Sequence, residues 1–396
     1  MSWPRCVQAL SACLALWLAS SQAALCGQSG GPQSNQTPRL IPRTHEEREA
    51  RFRAQHRIVL NVEVTDAGGN AVTGLNAGDF VLTQDRQPRS IASFRQVNGE
   101  AAPVPPQVML VLDAVNNSSR DLANDRKGIE NFLRQSSAPL AYPTSIAVLS
   151  GAEIKSGTPT RDRSVLRYQL NELTAGLRPV VCADEANADK VPMTVWIPGG
   201  PVSQADPTKE LNCLNQRFIT SINALTQFAK LQIDIPGRII LVWMGAGWPL
   251  LNNKQFTPDD ASVKAGFFEN LVQVSSALRE AQMTLDVVLP SSLFRTPESR
   301  DQHEDAYFNG VPNQDEVTAA SLGLQALAHQ SGGQILIGAR NIPGGVAACM
   351  ADAKSYYELT FDSPPAAQFG EYHSLQVKVE KPGVTVRTNT VYYAEQ

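Results

Sequence analysis

The sequence predicts an α/β protein in which a doubly wound, mostly parallel sheet is inserted between two β-rich segments. Between residues 107 and 354, short apolar runs alternate with amphipathic helical patterns, as expected for strands buried on both faces and their crossover helices. Residues 57–100 and 355–396 show instead the alternation that is typical of half-buried strands. Each terminal segment is too short to bury a core alone, so we expect the two to pair as one small β-sandwich.

The first 24 residues have the features of a secretory signal peptide. Arg5 precedes an apolar stretch at residues 9–19, and small residues follow at a cleavage position. The stretch is short for a membrane span, although an uncleaved anchor is an alternative, and Cys26 weakly suggests a lipidation site. Residues 25–56 predict a polar linker and a short helix. We therefore expect export to the periplasm, the outer surface or the medium, with membrane association only if the signal is retained or lipidated.

The N-terminal β-rich segment, residues 57–100, contains three predicted strands. Apolar residues alternate from Ile58 to Val64, and further strands are predicted at residues 80–83 and 91–94. The residues between these two strands, 85–88, are typical of a turn.

The predicted α/β domain covers residues 107–354. Its strands are predicted at residues 107–112, 145–149, 239–244, 285–289 and 335–337. Helices are predicted after Ser118, from Thr160 to Leu173, around residues 218–228, from Thr257, and at residues 317–330 and 343–354. The proline-rich stretch 174–212 interrupts this order, so we interpret it as an insertion.

The C-terminal β-rich segment, residues 355–396, again shows strand alternation. Strands are predicted at residues 356–361, 375–379 and 384–387, and Lys381-Pro-Gly383 forms the turn between the last two.

The six cysteines fit an exported protein. Cys182 and Cys213 lie in the same polar insertion and are predicted to form a disulfide bond. On the chain-entropy model, closing such a loop stabilises the fold by roughly 3–4 kcal/mol. Cys349 lies in an apolar helical pattern, where a buried, inert thiol is favoured over a nucleophile.

Composition and motifs exclude several functions. The chain has 34 Lys and Arg against 38 Asp and Glu, a net charge of −4, so neither nucleic acid nor a membrane surface is an expected partner. The sequence has no phosphate-binding loop, nucleophile elbow or dinucleotide fingerprint, and its five histidines form no zinc motif. We therefore expect neither a small-molecule cofactor nor catalysis.

Several segments together resemble the von Willebrand factor type A (vWA) fold, and more closely the bacterial vWA-related proteins familiar from acidobacteria. The resemblance covers roughly residues 57–394. Its segments are VTGLNAGDF at 72–80, LDAVN at 112–116, PGRIILVWMGAGWP at 236–249, SGG at 331–333, YYEL at 356–359 and the terminal Tyr392. It implies an exported protein that binds rather than catalyses.

The resemblance also implies where a metal would bind. The vWA site uses Asp-x-Ser-x-Ser on one loop, Thr on a second loop and Asp on a third, which hold Mg²⁺ or Mn²⁺ through oxygen ligands. Here Asp113 keeps the first place, Val115 replaces the first Ser and Asn117 replaces the second. The third loop, 245–247, reads Gly-Ala-Gly and has no carboxylate, and Thr174 is not securely aligned with the second loop. We therefore expect no cofactor, with Mg²⁺ or Mn²⁺ at Asp113 and Asn117 as the alternative.

The functional prediction is a non-catalytic protein-binding or scaffold module with a degenerate metal site. Its unidentified protein partner would bind the loops beyond the strand ends, at residues 114–120, 245–256, 290–315 and 338–343. The candidate contacts there are Asn116, Ser118 and Trp248, although Trp248 is equally compatible with burial. Asp113 is expected to cap its own loop by hydrogen bonding. The alternatives are a metal-dependent adhesion protein and, least favoured, a hydrolase that uses His303.

Overall fold

The computed structural model describes residues 56–180, 195–197, 200–202, 207–245, 247–248, 261–289, 310–318, 320–337 and 341–394. All of them belong to one unit, Ala50–Gln396. The predicted signal peptide, and the predicted linker and short helix up to residue 55, lie outside these residues. None of the described helices is both long and apolar enough to cross a membrane.

The described strands and helices follow the predicted order β, α/β, β. The strands are β1 (Arg57–Asp66), β2 (Phe80–Gln84), β3 (Gln87–Arg89), β4 (Ser93–Asn98), β5 (Gln107–Asp113), β6 (Thr144–Ser150), β7 (Glu153–Ser156), β8 (Val195–Ile197), β9 (Gly200–Val202), β10 (Ile239–Met244), β11 (Met283–Leu289), β12 (Ile335–Ile337), β13 (Ser355–Asp362), β14 (Glu371–Val379), β15 (Val384–Arg387) and β16 (Val391–Ala394). The α-helices are α1 (Ser119–Arg134), α2 (Arg163–Thr174), α3 (Pro207–Gln232), α4 (Ala261–Glu280), α5 (Leu324–Gln330) and α6 (Ile342–Ala351).

A six-stranded sheet forms the centre of the α/β part, in the order β12-β11-β10-β5-β6-β7. All neighbouring strands are parallel except β6 and β7. If the six strands are renumbered by their order in the chain and read from the β7 edge, their order is 3-2-1-4-5-6. The direction of winding therefore reverses between β5 and β10. In open α/β sheets, ligands bind in the crevice at such a reversal, beyond the carboxyl ends of the strands.

Both faces of this sheet are buried, which explains its continuous apolar strands. Met109 and Val111 of β5 contribute to one hydrophobic core with α3, α4 and α5. Leu110 and Leu112 contribute to a second core with α1, α2 and α6. Because successive side chains of a strand point to opposite faces, one strand supplies both cores.

Strands from both ends of the chain pair in two antiparallel sheets of four strands each. Their orders are β15-β1-β13-β4 and β16-β14-β2-β3. The first sheet places β1 beside β13, so residues about 300 positions apart, such as Arg57 and Asp362, are direct neighbours. The two sheets share one hydrophobic core, in which Leu60, Phe361 and Leu375 are buried.

Several element boundaries differ from the predictions. The turn after β2 is only Asp85-Arg86, both with positive φ, so Gln87 and Pro88 already belong to β3 and the next strand begins at Ser93. The helix predicted at 317–330 is shorter, because α5 begins after its N-cap Gly323. The short strands β8 and β9 lie within the predicted insertion, and β16 was not predicted.

A buried ionic cluster joins the first antiparallel sheet to the parallel sheet. Glu63 of β1 binds Arg238, which precedes β10, and Arg387 of β15. Arg387 also makes a two-pronged contact with Asp352, over 2.7 and 2.9 Å. Arg238 donates to the Thr284 hydroxyl of β11 over 3.0 Å. Four of these five residues are buried and Arg387 is partly buried, so the cluster joins distant parts of the chain largely away from water.

Burial raises the pKa of two acids here, Glu63 in the cluster and Asp286 beside it. It raises the pKa of Glu63, while the adjacent Arg238 and Arg387 favour the charged form and oppose the shift. It also raises the pKa of Asp286 on β11 to about 7, with a further contribution from the nearby Asp352. Both shifts are upward because desolvation penalises the charged form of a carboxyl group.

Candidate functional site

Asp113 is the last residue of β5 and lies at the winding reversal of the parallel sheet. β10, the neighbour of β5 on the other side of this reversal, pairs its Met244 with Leu112. Asp113 is fully buried. The sequence therefore places a carboxylate at the edge of the sheet where doubly wound folds bind their ligands.

Four protein donors occupy the two carboxylate oxygens of Asp113. Its Oδ1 accepts hydrogen bonds of 2.9 Å from the backbone nitrogens of both Val115 and Asn116. Its Oδ2 accepts from Asn116 Nδ2 over 2.7 Å and from the indole nitrogen of Trp243 over 3.1 Å. Burial raises the pKa of Asp113, while these hydrogen bonds oppose the shift. A carboxylate has about four lone-pair positions, so its acceptor capacity is filled.

Asn116 connects this carboxylate to the opposite helix. Its amide nitrogen also donates to Ser221 Oγ of α3 over 2.8 Å, and Ser221 in turn donates to the Arg217 carbonyl. Asn116 is buried, and in the described part of the chain its Oδ1 has no hydrogen-bond partner. Asn116, which was predicted to contact a partner, thus holds the first loop against α3.

Asn117 fills the space next to the third loop. Its Nδ2 donates to Asp125 of α1 over 2.9 Å. A Cβ atom on Gly245 would lie 2.4 Å from Asn117 Oδ1, and Gly245 has a φ of +140°. Glycine is therefore required at residue 245, because the Asn117 side chain stands where a side chain would project.

Asp125 is a buried carboxyl group beside the Asp113 loop. Burial raises its pKa to about 7, with smaller contributions from Asp121 and Asp113, while the hydrogen bond from Asn117 opposes the shift. Helical periodicity identified neighbouring residues of α1 as core, but an aspartate on the buried face was not singled out.

Ser118 and Trp248, the other candidate contacts, have different environments. Ser118 is exposed and is the N-cap of α1, where its hydroxyl accepts from the Asp121 backbone over 3.1 Å. Trp248 is buried, with its ring edge-on to Phe218 at 5.4 Å between centroids. Of the two interpretations of Trp248, burial agrees with this structure, so the ring is not offered to a partner at the surface.

The residues around Asp113 do not fit a hard cation. Such an ion needs free oxygen ligands and compensating charge, but the oxygens of Asp113 already accept four hydrogen bonds. Val115 is packed in the core, and Gly245 brings no carboxylate. Thr174 bonds the Leu170 carbonyl and Arg126, at the end of α2. Within the described ranges, no group of three or more His, Cys, Asp or Glu could hold a metal ion.

The remaining predicted sites are only partly described. Cys213 is disulfide-bonded, and Cys182 lies outside the described residues, so the pairing of these two stays a prediction. Cys349 is a free, buried cysteine whose pKa is raised well above the usual value, chiefly by burial. His303 lies outside the described residues.

Sequence reasoning missed two buried contacts, one at Asp113 and one at the opposite end of β10. Trp243 was assigned only to a strand, but its indole nitrogen is one of the four donors to Asp113. Arg238 was assigned to the same strand, but its guanidinium binds Glu63. An arginine beside six apolar residues signals a buried partner, which the sequence alone does not identify.

No protein-family model matches this chain, and no curated protein matches it. Among solved structures, the crystal structure of the human COPII-coat protein Sec24c matches with a TM-score of 0.30 and 9% sequence identity. The match covers 78% of this chain and 48% of that chain, so this chain spans about half of Sec24c. A likeness this weak carries no argument about function. The chain is a mixed α/β protein with one parallel-rich sheet and two antiparallel sheets, compatible with a vWA-like fold.

Proposed function

We propose that the chain is an exported, vWA-like, protein-binding or scaffold module without catalytic activity. Its partner binds the loops beyond the carboxyl ends of the parallel strands. The order of the six strands supports the vWA-like assignment, because it places the reversal between β5 and β10. The sandwich formed by the terminal segments is then the support on which the α/β domain is mounted.

The observation that carries this proposal is the complete hydrogen bonding of Asp113. Its four donors fix the first loop, whose last residue Ser118 caps α1. The exposed residues Ser118, Ser119 and Arg120 are thereby held at the edge of the sheet without an ion. Binding surfaces are most specific where rigid elements position the contacting residues.

The alternative functions have less support. A metal-dependent adhesion protein would use Asp113 and Asn117, but its ion would have to displace the hydrogen bonds that already fill the Asp113 carboxylate. A hydrolase would need an activated nucleophile, whereas the Cys349 thiol is buried and its pKa is raised. Export rests on the signal-like first 24 residues alone.

Affinity capture with the full chain tests the proposed surface. Immobilised wild type, Arg120→Glu and Lys378→Glu would each be incubated with an envelope extract from the source organism. Arg120 is exposed at the start of α1, and Lys378 is exposed on β14, far along the chain from the loop edge. We expect a partner that binds wild type and Lys378→Glu but is lost with Arg120→Glu. An identical set of captured proteins for all three would contradict binding at this edge.

A further inference from the structure

A groove of about 1010 Å³ opens at the opposite end of the parallel sheet from Asp113. It lies between the end of α1, the loop that leads into β6 and the start of α2. Thr160, on its wall, bonds the backbone of Thr144, the first residue of β6. Since β6 begins opposite Val108 and its Leu149 lies opposite Asp113, the groove and the Asp113 loop face opposite ends of the same strands.

Four arginines line this groove: Arg134, Arg161, Arg163 and Arg167. One carboxylate lines it, Asp162, whose Oδ1 accepts hydrogen bonds from the backbone nitrogens of Ser164 and Val165 as the N-cap of α2. This excess of positive charge is local, because the chain as a whole has a net charge of −4.

Main-chain carbonyls hold two of these guanidiniums in place. Arg161 donates through Nε to the Leu140 carbonyl over 2.6 Å. Arg163 donates to the Ala138 and Phe132 carbonyls over 2.9 and 2.8 Å, and its guanidinium lies over the Phe132 ring. Carbonyls orient an arginine without neutralising it, so both side chains keep their full charge and further donors.

The positive charge is largely without a counter-ion. Among the described residues, Arg161, Arg163 and Arg167 form no salt bridge, and the Nε of Arg167 is buried without a hydrogen-bond partner. Arg134 pairs with Glu130 on its own helix over 2.7 Å. The pKa of Glu130 is lowered, first by the Arg134 hydrogen bond and further by the positive charges of Arg126 and Arg167. The electrostatic potential near the groove is therefore positive.

We propose that this groove binds an acidic segment of a partner protein, whose Asp or Glu side chains pair with the four arginines. The planar guanidinium matches a carboxylate in a two-pronged contact, and arginine clusters are a recurring way to recognise acidic motifs. Arg134, Arg161 and Arg163 are each held at a separate point, and the groove far exceeds the volume of one anion, so it fits an extended chain. Pro139, which is exposed on its wall, gives an apolar contact that a flat anionic membrane would not use.

Peptide titration of the full chain tests this proposal. The probe is a fluorescent, glutamate-rich peptide, and the comparison is the same peptide with every glutamate replaced by glutamine. We expect wild type to bind the first peptide and not the second. Affinity should fall about tenfold between about 20 and 200 mM salt, because ions screen exposed charge pairs.

Two double variants assign the site. Arg134→Gln with Arg167→Gln removes two groove charges from side chains that are not part of the core, and binding should weaken about tenfold or more. Arg57→Gln with Arg95→Gln removes two exposed arginines of the antiparallel sheet, and affinity should stay within about twofold. Absence of binding, or equal loss in both double variants, would overturn the proposal. Tighter binding to anionic lipid vesicles than to the peptide would do so as well.

Discussion

The indole nitrogen of Trp243 donates a 3.1 Å hydrogen bond to Oδ2 of Asp113. This bond links β10 to the end of β5 across the point where the winding of the sheet reverses. A vWA metal loop would direct the oxygens of this aspartate to an ion and its surrounding hydroxyl groups. Here the same atoms are directed to nitrogen donors of the protein itself, which makes the carboxylate part of the folded framework.

Replacing Trp243 by Phe should destabilise the protein by about 2–4 kcal/mol, because it removes a donor to a buried carboxylate and leaves a void. Trp248→Phe is the matched control. Trp248 is also buried, but its indole nitrogen has no hydrogen-bond partner among the described residues, so we expect a loss of stability that is smaller by about 1–2 kcal/mol. Urea unfolding measures both. Equal losses would show that the bond to Asp113 contributes nothing.

Truncating Arg238 should be among the most destabilising single changes. Arg238→Met leaves the buried Glu63 with only one of its two arginine partners, so we expect the free energy of unfolding to fall by about 3–5 kcal/mol. Arg57→Met is the control, because Arg57 forms an exposed cross-strand pair with Asp362 that should contribute less than about 1 kcal/mol. If the two variants were equally stable in chemical denaturation, the buried cluster would not join the sheets.

Asp125 should make the protein less stable as the pH rises from about 4 to about 7. The unfolded chain releases this proton near the ordinary aspartate pKa of 3.8, whereas the folded protein holds it until about 7. Holding this proton stabilises the folded state by roughly 4 kcal/mol at pH values below 3.8, the pKa in the unfolded chain. This stabilisation is lost as the pH rises to about 7, the pKa in the folded protein.

The variant Asp125→Asn isolates this contribution, because an amide oxygen still accepts from Asn117 and does not titrate. Urea unfolding at each pH gives the free energy of unfolding of both proteins. The value for Asp125→Asn minus that for wild type should increase from pH 4 to 7 and stay constant at higher pH. Asp234→Asn, at an exposed position after α3, should leave the wild-type profile unchanged. A constant difference between wild type and Asp125→Asn over this range would contradict the raised pKa.

The disulfide prediction has a direct test. Non-reducing peptide mapping of the full chain should give a cross-linked fragment that contains Cys182 and Cys213. Reduction should lower the free energy of unfolding by roughly 3–4 kcal/mol on the chain-entropy model. Cys213 linked to another cysteine would contradict the assignment and, with it, the interpretation of residues 174–212 as one closed insertion.

The sequence predicted most strands and helices because their patterns are local. Continuous apolar runs predicted β5, β6, β10 and β11, and the helix predicted after Ser118 is α1, which Ser118 caps. The boundaries that differed depend on single backbone geometries. The two-residue turn at Asp85-Arg86 needs two positive φ angles, and neither residue type signals this strongly.

The chemistry of the candidate site was harder to predict, because it depends on contacts between residues far apart in sequence. Asp113 was identified, but its donor Trp243 is 130 positions away. The proximity of Glu63 to Arg238, 175 positions apart, likewise arises only when β1 packs beside the parallel sheet. Three of the groove arginines come from two helices and Arg161 comes from the loop before α2, so the sequence did not group them.

Thermal unfolding of wild type and Asp113→Asn, with EDTA or with millimolar Mg²⁺, Mn²⁺ or Ca²⁺, tests the central claim most directly. We predict one unfolding temperature for wild type in all four solutions, and no binding heat in calorimetry. Asp113→Asn should lower the free energy of unfolding by about 2–4 kcal/mol in every solution. Its amide group would place an NH₂ donor against the two N–H donors that now bond Oδ2. The account would be contradicted if any of these ions raised the unfolding temperature of wild type but not that of Asp113→Asn.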